Sequence, residues 1–271
     1  MRAPHPAQDP DDGLRIADIA SVYRLERQFP GSLRLLFELL AAIIALMSNR
    51  YPQSCALARA AEVLGERWTL LIVRELLLGP KRFTDLKGRL GSVSTSVLTE
   101  RLTRLEDSGV VRRSVLAPPA ASTVYELTAS GRALEPAVFA LIRWGAQYLL
   151  PLRPEERMEP DWLRLVFAAY ARRTRSPARA FEIHVRAGGA EAVIHVAGGA
   201  KGTTVSEAGG LWDVKILVDA EDLLGLMAGR IQPLDAVRDG RLQAEGDLAA
   251  LDVLPQLFDA SVREGAGRVD G

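Results

Sequence analysis

Residues 83–111, FTDLKGRLGSVSTSVLTERLTRLEDSGVV, decide the fold of the first half of the chain. Three leucines in this stretch follow a helical spacing and predict a helix whose apolar stripe faces a core; they are Leu98, Leu102 and Leu105. The opposite side of this helix carries Ser96, Thr99, Glu100 and Thr103. Because their hydroxyls compete for backbone hydrogen bonds, Ser and Thr add nothing to the stability of an exposed helix face. Such a face is typical of a helix that lies close against a broad surface, such as the floor of a DNA groove.

Upstream of this helix the sequence predicts further helices joined by short turns. Ser94 is expected to cap the helix, because its hydroxyl can accept a hydrogen bond from an amide of the first turn. Gly91–Val93 is expected to turn the chain, and Gly79-Pro80 to end the core helix that precedes it. The predicted upstream helices are Ala56–Leu64, Trp68–Leu78 and Phe83–Leu90. This order is that of a helix-turn-helix unit.

Beyond Gly109 the apolar residues alternate, which predicts strands in place of a helix. Val110–Val115 and Thr123–Leu127 are expected to pair as a β-hairpin, which would form a wing. Thr128 is expected to cap a long helix, Ala129–Leu150. The apolar side of that helix is expected to consist of Leu134, Val138, Leu141, Ile142 and Tyr148.

Several short motifs in this order resemble the HxlR-type winged helix-turn-helix transcriptional regulators, and the resemblance covers about Cys55–Leu149. The motifs are Gly65-x-x-Trp68, Arg82-Phe83 with Leu86, Leu98-x-x-Arg101-Leu102 with Leu105, Tyr125-x-Leu127-Thr128-x-x-Gly131, and Trp144. The resemblance implies a homodimer built by helices at the two ends of this domain. It also implies that each subunit places one recognition helix in a major groove of a palindromic site.

Two kinds of residue are expected to contact double-stranded DNA: small hydroxyls that reach base edges, and cations that contact phosphates. The expected contacts are Ser94, Thr95, Ser96, Thr99, Thr103, Lys81, Arg82, Arg101, Arg104, Arg112 and Arg113. For the arginines an ordinary solvated face is the alternative. Arg101 borders the leucine stripe, so internal pairing is its alternative. Glu100 precedes Arg104 in the order that favours an ion pair along a helix.

Charge is distributed unevenly along the chain. The 271 residues include 34 Lys and Arg and 34 Asp and Glu. Residues 51–150 hold 13 basic residues against 9 acidic ones, whereas residues 151–271 hold 15 against 19. The neutral total therefore hides a basic segment beside an acidic one, which can mark a nucleic-acid-binding part.

Cys55 is the single cysteine of the chain, so no internal disulfide is possible and the cytoplasm is the expected compartment. We favour an interpretation in which Cys55 is a small, inert hydrophobe buried at a helix start. In the alternative, the helix N-terminus lowers the pKa of the thiol and makes it a redox or electrophile sensor. A cysteine at this place has that role in some HxlR relatives.

Residues 1–46 are expected to be an N-terminal extension. Leu33–Met47 is apolar, but it is shorter than the roughly 20 residues of a spanning helix and carries Arg34 and Glu38. We expect this segment to pack on the protein or on a partner chain without membrane insertion; a membrane-surface role is the alternative. We also hypothesise that translation starts at Met47, which mass spectrometry of the native N-terminus would test.

The second half predicts an α+β domain at 161–260, after a linker at 151–160 and before a flexible tail at 261–271. Helices are expected at Asp161–Arg173, Glu221–Gly229, Leu234–Asp239 and Leu248–Phe258. Strands are expected in AFEIHVRA and AEAVIHVA, around Gly188-Gly189, and in DVKILVDA and RLQAEGD. Gly198–Thr204 lacks the Gly-Lys-Ser/Thr order of a phosphate loop and is expected to be a hairpin turn.

The second half shows few candidates for catalytic or metal-ligating residues. His184 and His195 lack a third ligand of metal type, so we interpret them as ordinary strand residues. No nucleophile, base and orienting group can be assembled from the sequence. We therefore expect no enzyme activity, no cofactor and no metal site.

The region from about Trp162 to Asp259 resembles the sterol carrier protein fold. The resemblance rests on a helix ending in Gly229, a short second helix, and the strand motif Gly240-x-Leu242-x-x-x-Gly246-Asp247. Members of that family enclose an apolar cavity for lipids, which implies a ligand site formed by Leu223, Met227, Ile231, Leu254 and Phe258. The alternative is that these five residues are plain core.

A DNA-binding domain at 47–150 joined to a pocket domain predicts a transcriptional regulator that responds to an apolar small molecule or lipid. The ligand would bias a dimer between arrangements that do and do not bind DNA. One alternative is a thiol-controlled or constitutive regulator whose second domain is purely structural. Another is a lipid carrier that is not a regulator.

Overall fold

The computed structural model describes residues 50–119, 121–149, 153, 156–207 and 209–259. The expectations about the extension at 1–46, the apolar Leu33–Met47 segment and the tail at 261–271 fall outside these described residues. The chain divides into two compact units, Met1–Glu62 and Val63–Gly271.

The helices of the first half begin and end close to their predicted bounds. They are α1 (Ala56–Leu64), α2 (Thr69–Leu77), α3 (Phe83–Leu90) and α4 (Thr95–Asp107). The predicted cap of α4 is confirmed, because Val97 N donates a hydrogen bond to Ser94 Oγ at 3.3 Å. α2 begins one residue later than predicted because Trp68 has a left-handed backbone with φ of 80°.

The predicted wing is present. β1 (Val111–Val115) and β2 (Thr123–Leu127) pair antiparallel, and Val111 lies opposite Leu127. Thr128 caps the following α5 (Ala129–Arg132) as predicted, since its hydroxyl accepts a hydrogen bond from Gly131 N at 3.1 Å. Thr128 Oγ1 also donates to the Gly109 carbonyl at 2.6 Å, which ties the exit of the hairpin to its entry.

The prediction of one continuous helix over Ala129–Leu150 is wrong. The chain leaves the helix after α5 and resumes as α6 (Glu135–Gly145), which a short 3₁₀ turn (Ala146–Tyr148) follows. Pro136 explains the new start, because proline has no N–H to donate and fits without strain only in the first turn of a helix. The apolar side is also narrower than expected: Val138 is buried, whereas Leu141 and Tyr148 are exposed.

One apolar cluster forms the core of the first half, while Leu78 and Phe139 pack into the core of the second half. The three leucines predicted to face the core of α4 are at most 1% exposed. They pack with side chains from α2, α3, both wing strands and α6, namely Ile72, Val73, Leu76, Leu86, Leu90, Val111, Leu127 and Val138. Burial of this stripe fixes the rotation of α4 about its axis and therefore fixes which residues face outward.

The second half contains a mixed five-stranded sheet with helices, the α+β layout that the sequence predicts. Its helices are α7 (Trp162–Tyr170), α8 (Ala220–Met227) and α9 (Pro233–Arg238). Its strands are β3 (Ala180–Ala187), β4 (Ala190–Ala197), β5 (Thr204–Glu207), β6 (Val214–Asp219) and β7 (Leu242–Gly246). The order across the sheet is β5-β4-β3-β6-β7; β3 and β6 are parallel, and the other neighbours are antiparallel.

Two elements of this half differ from the prediction. β5 was not expected, because it is a four-residue edge strand without a buried residue and so lacks an apolar pattern. The last helix, Leu248–Leu257, is a 3₁₀ helix that contains Pro255, which cannot donate an α-helical hydrogen bond. No helix among the described residues is long and apolar enough to cross a membrane.

Candidate nucleic-acid interface

The outward face of α4 carries the small hydroxylated residues that the sequence singled out. Ser96, Thr99 and Thr103 are exposed, and the leucine stripe lies buried behind them. α3 precedes α4 through the turn at Gly91, whose φ of 71° lies in the left-handed region that favours glycine. This turn therefore joins α3 to the helix whose outward face carries the hydroxyls.

Hydrogen bonds orient the hydroxyls of this face. Thr99 Oγ1 donates to the Thr95 carbonyl at 2.9 Å, and the hydroxyls of Ser94 and Ser96 lie 3.1 Å apart. Because the Thr99 proton is engaged by its own helix, the lone pairs of its oxygen are left to accept hydrogen bonds from a groove. Thr95 Oγ1 in turn accepts a hydrogen bond from Lys87 Nζ at 2.6 Å.

Lys87 was absent from the sequence prediction, although a signal for it exists. Phe83, Leu86 and Leu90 form the inward stripe of α3, so Lys87 falls on the outward side of the same helix, and it is exposed. Its ammonium group has two further donors beyond the one that Thr95 receives. Lys87 therefore adds a cation at the start of α4.

The remaining predicted cations differ in their exposure. Arg82 is exposed, and its Nε donates to Ser122 Oγ at 2.9 Å, so it lies beside the wing. Arg112 in β1 is 65% exposed and pairs with Glu126 at 2.9 Å. Arg113 pairs with Glu106 at 3.0 Å and stacks over the Tyr125 ring at 5.4 Å.

Arg101 and Arg104 belong to an ion-pair network on α4. Arg101 is only 12% exposed at its side chain and lies 2.9 Å from Glu66 and 3.1 Å from Glu100. The predicted pair between Glu100 and Arg104 is confirmed at 2.9 Å, and Arg104 also reaches Glu66 at 3.4 Å. The Arg101 side chain is mostly buried and already pairs with two carboxylates. The structure therefore favours internal pairing of Arg101 over a contact with DNA.

Lys81 lies in different surroundings from the other predicted cations. Its backbone pairs with that of Tyr125 through two hydrogen bonds, at 3.0 and 2.8 Å, and its side chain is half-buried. Burial, with Arg89 nearby, lowers the pKa of the Lys81 ammonium group. The half-buried Lys81 is therefore less accessible to a phosphate than the exposed cations Arg82 and Arg112.

Cys55 is exposed, so the expectation that it is buried at a helix start is wrong. It immediately precedes α1, where backbone amides lack partners within the helix. Hydrogen bonds from the amides of Ala58 and Leu57 lower the pKa of its thiol. Exposure and a stabilised thiolate are the two properties that make a cysteine reactive.

The five predicted ligand-binding residues all border the apolar core of the second half. Leu223, Leu254 and Phe258 are at most 4% exposed, and Met227 and Ile231 are partly buried against the same core. A Cβ added at Gly225 would meet Ile231 Cδ1 at 2.5 Å, which shows how closely the end of α8 is packed. Three cavities of about 410, 470 and 600 Å³ have other linings, which include Asp161, Ser176 and Met158. These contacts support the alternative that the five side chains are plain core residues.

Both histidines of the second half have partners on the protein. His184 lies between two carboxylates, 2.9 Å from Glu182 Oε1 and 2.8 Å from Glu191 Oε1, and these hydrogen bonds raise the pKa of its imidazole. His195 is buried, and its Nε2 lies 3.2 Å from the Leu211 carbonyl. Among the described residues, no group of three or more His, Cys, Asp or Glu could hold a metal ion.

Comparison with known proteins gives this architecture a family. The model of the HxlR-like helix-turn-helix family matches residues 63–152, and that of the SCP-2 sterol transfer family matches residues 163–259. The HTH-type transcriptional regulator YvaP of Bacillus subtilis is 38% identical over 34% of this chain and 86% of its own length. The HTH-type transcriptional regulator YodB of the same organism is 36% identical over 34% of this chain and 82% of its own length.

A solved structure, the reduced form of YodB from B. subtilis, aligns at 33% identity over 37% of this chain and 100% of that chain, with a TM-score of 0.32. The identity and coverage of the two regulators show the family. The chain belongs to the HxlR-like helix-turn-helix family of transcriptional regulators, and an SCP-2 domain follows its DNA-binding domain.

Proposed function

We propose that this regulator is a homodimer that reads a palindromic DNA site with the hydroxyl face of α4, and that an apolar ligand in its SCP-2 domain changes its DNA affinity. The observation that carries the DNA-binding part is the exposed set of Ser96, Thr99 and Thr103, backed by fully buried leucines. The short hydroxylated side chains let α4 approach the floor of a major groove closely, and Glu100 on the same face is paired with Arg101 and Arg104.

Different residues of this surface have different roles in the proposal. Thr99 accepts hydrogen bonds from base amino groups, because its own proton is engaged by Thr95. Arg82, Lys87 and Arg112 contact phosphates from α3 and the wing. Arg101 positions α4 through Glu66 and does not itself touch DNA.

The dimer rests on a second exposed surface. Leu141, Trp144 and Tyr148 are 47%, 64% and 66% exposed, and they follow one another along α6 and the turn after it. The rings of Trp144 and Tyr148 pack edge to face, 5.3 Å apart, and form one apolar patch. A contiguous aromatic patch of this kind is typical of a protein interface, and a second copy of the chain is the partner that a palindromic site requires.

The ligand part of the proposal rests on membership of the SCP-2 family and on the composition of the core. Met227 borders this core at the end of α8 and is a flexible residue suited to adaptable pockets. Burial of an acyl chain would contribute about 0.8 kcal/mol per methylene, which is enough for micromolar affinity with a medium-length chain. Because the core is closely packed, binding must separate α8 or the last helix from the sheet.

DNA binding is tested by selecting sites from random DNA and measuring affinity by fluorescence anisotropy. We expect Ser96→Ala and Thr99→Ala to change the preferred sequence while affinity for unrelated DNA stays within about twofold. Ser206→Ala is the matched control, because Ser206 is exposed on β5 of the other domain. Equal losses on every sequence would instead assign the two hydroxyls a structural role.

Ligand binding is tested with the fluorescent fatty acid cis-parinaric acid. We expect the wild type to take up the probe and to change its affinity for the selected site. Met227→Trp should block uptake without unfolding the domain, while Leu248→Trp, at a 44% exposed position, should not. Absence of probe binding, together with a ligand-free mass in native mass spectrometry, would leave the SCP-2 domain with a structural role.

A thiol-controlled regulator is the second candidate function. The observation that favours it is the exposed Cys55 with its lowered pKa. Loss of DNA binding on diamide treatment in the wild type but not in Cys55→Ser would establish it.

A further inference from the structure

A buried charge cluster joins the winged half to the SCP-2 domain. Its centre is the carboxylate of Glu75 on α2, which is 0% exposed. Glu75 Oε1 accepts hydrogen bonds from Arg74 Nη2 at 2.6 Å and from Trp162 Nε1 at 2.8 Å. Glu75 Oε2 accepts one from Arg89 Nε. Trp162 is the first residue of α7, so one carboxylate binds groups from both halves.

Arg89 extends the cluster. Its Nη2 lies 2.7 and 2.8 Å from the two oxygens of Asp161, and its Nη1 lies 3.3 Å from Glu159. The Arg74 guanidinium lies 3.9 Å from the centroid of the Trp162 ring. One guanidinium therefore bridges a carboxylate of the winged half to two carboxylates that precede α7. We call Glu75, Arg89, Asp161 and Trp162 the joint.

The joint connects the elements that matter for each proposed activity. Arg89 lies in the last turn of α3, directly before the turn that leads into α4. Asp161 and Trp162 open α7, whose Leu163 and Phe167 are buried in the SCP-2 core. A chain of short, direct contacts therefore links α7 to α3.

Three further hydrogen bonds join the two halves. Arg164 Nη2 donates to the Leu78 carbonyl at 2.9 Å, and Arg157 Nη1 donates to the Gly88 carbonyl at 2.9 Å. Arg143 Nη1 donates to the Ala169 carbonyl at 2.6 Å. Arginine side chains thus satisfy backbone groups at the ends of α2 and α7 and within α3.

Because its central carboxylate is buried, the joint has two states, formed and broken. An ionised group out of water is tolerated only with its full set of partners, and loss of one partner leaves an uncompensated charge. A sliding movement between the halves would leave the Glu75 carboxylate buried without its partners. The contacts of the joint are therefore either all formed or broken, and the joint does not deform gradually.

We propose that the joint is the device that transmits the state of the SCP-2 domain to the recognition helix α4. This inference rests on the ligand response proposed above. When α7 shifts on ligand binding, Asp161 and Trp162 move Arg89 and Glu75, and α3 carries the movement to α4. The joint is required for communication but for neither binding event by itself.

The test uses two conservative variants and a matched control in the full chain. Trp162→Phe removes the indole N–H but keeps a ring, and Asp161→Asn removes one charge of the cluster. Asp219→Asn is the control, because it breaks an exposed ion pair with Arg186 in the same domain. Circular dichroism establishes that each variant is folded.

We expect the wild type and Asp219→Asn to change their DNA affinity equally when cis-parinaric acid is added. In Trp162→Phe and Asp161→Asn we expect this change to shrink to within about twofold of no effect. Affinities for DNA alone and for the probe alone should stay close to wild type. A wild-type response in both joint variants would overturn the proposal.

Calorimetry separates failure of this inference from failure of the proposed function. If the DNA affinity of the wild type does not change when cis-parinaric acid is added, the proposed ligand response is wrong. Thermal unfolding then tests the joint by itself. We expect one cooperative transition in the wild type and the control, and a lower ratio of van't Hoff to calorimetric enthalpy in the joint variants, because loss of the joint weakens the coupling while the hydrogen bonds of Arg143, Arg157 and Arg164 remain. An unchanged ratio in both joint variants would show that the joint does not couple the halves.

Discussion

Cys55 and His184 have pKa values shifted by different surroundings. Amides at the start of α1 stabilise the Cys55 thiolate, whereas Glu182 and Glu191 stabilise the protonated imidazole of His184. Neither shift follows from residue type. Each depends on groups that the fold brings within hydrogen-bonding distance.

Cys55 is expected to react with a disulfide reagent such as Ellman's reagent as a low-pKa thiol. The rate of reaction measured against pH should reach half of its maximum below the value of an unperturbed thiol, about 8.5. A denatured sample supplies the control, because unfolding removes the helix amides. A native profile that matches the denatured one would show that these amides do not stabilise the thiolate.

His184 is expected to stabilise the fold at low pH. Its folded pKa is raised above the unfolded value of about 6.5, so its contribution is fully present below that value. The contribution is lost as pH rises through the folded pKa. The difference in free energy of unfolding between wild type and His184→Gln should therefore be larger at about pH 6 than at about pH 8.5. Urea titrations at both pH values measure it, and a difference that grows with pH would contradict the expectation.

At the scale of elements, α6 combines two surfaces with different roles. Val138 and Phe139 face inward and are buried, while the patch around Trp144 faces outward. The helix is therefore apolar on more than one side. α6 already packs into both cores, since Val138 lies in that of the winged half and Phe139 in that of the SCP-2 half. The exposed patch is a further apolar surface, which supports the proposed interface between copies.

Trp144→Lys is expected to convert the proposed dimer to a monomer, because it places a charge in the centre of the proposed apolar contact. Sedimentation equilibrium measures the mass, and affinity for a palindromic site should fall together with dimerisation. Leu211→Lys is the control, since Leu211 is 94% exposed in the SCP-2 domain. A variant that remains dimeric would place the interface elsewhere.

At the scale of the whole molecule, the neutral total charge conceals an electrostatic division. The SCP-2 half is acidic, and within the winged half several arginines are paired with acids, as Arg101 is with Glu66. The cations available to DNA are therefore fewer than the sequence count implies. The proposal assigns Arg82, Lys87 and Arg112 to phosphates. Arg112 pairs with Glu126, but its side chain is 65% exposed and can still reach a phosphate.

This count predicts the salt dependence of DNA binding. Three cations in each subunit of a dimer give a slope of about −5 in a plot of log affinity against log salt concentration. Arg82→Ala should reduce the magnitude of that slope by about 2, because the change occurs in both subunits. Arg238→Ala, at an exposed position in the other domain, should leave it unchanged. A slope near zero would argue against phosphate contacts by these residues.

The sequence by itself determined the family, the order of the elements and the cap of α4. Periodicity and capping are local properties, and the Leu98, Leu102 and Leu105 stripe has one way to be buried. The outward hydroxyl face follows from that stripe. The continuous helix after Thr128 was the chief local error, because the break before Glu135 depends on Pro136.

Only the tertiary structure decided which charged residues far apart in the sequence are engaged with one another; the Glu100–Arg104 pair within one helix was predicted. Glu75 binds Trp162 although the two lie 87 positions apart, and Arg89 binds Asp161 across 72 positions. Sequence periodicity does not relate residues at such separations, so the joint could not be predicted from the sequence. The burial of Arg101, the exposure of Cys55 and the close packing around Ile231 were also set by neighbours brought together through folding, because burial and pKa depend on three-dimensional surroundings.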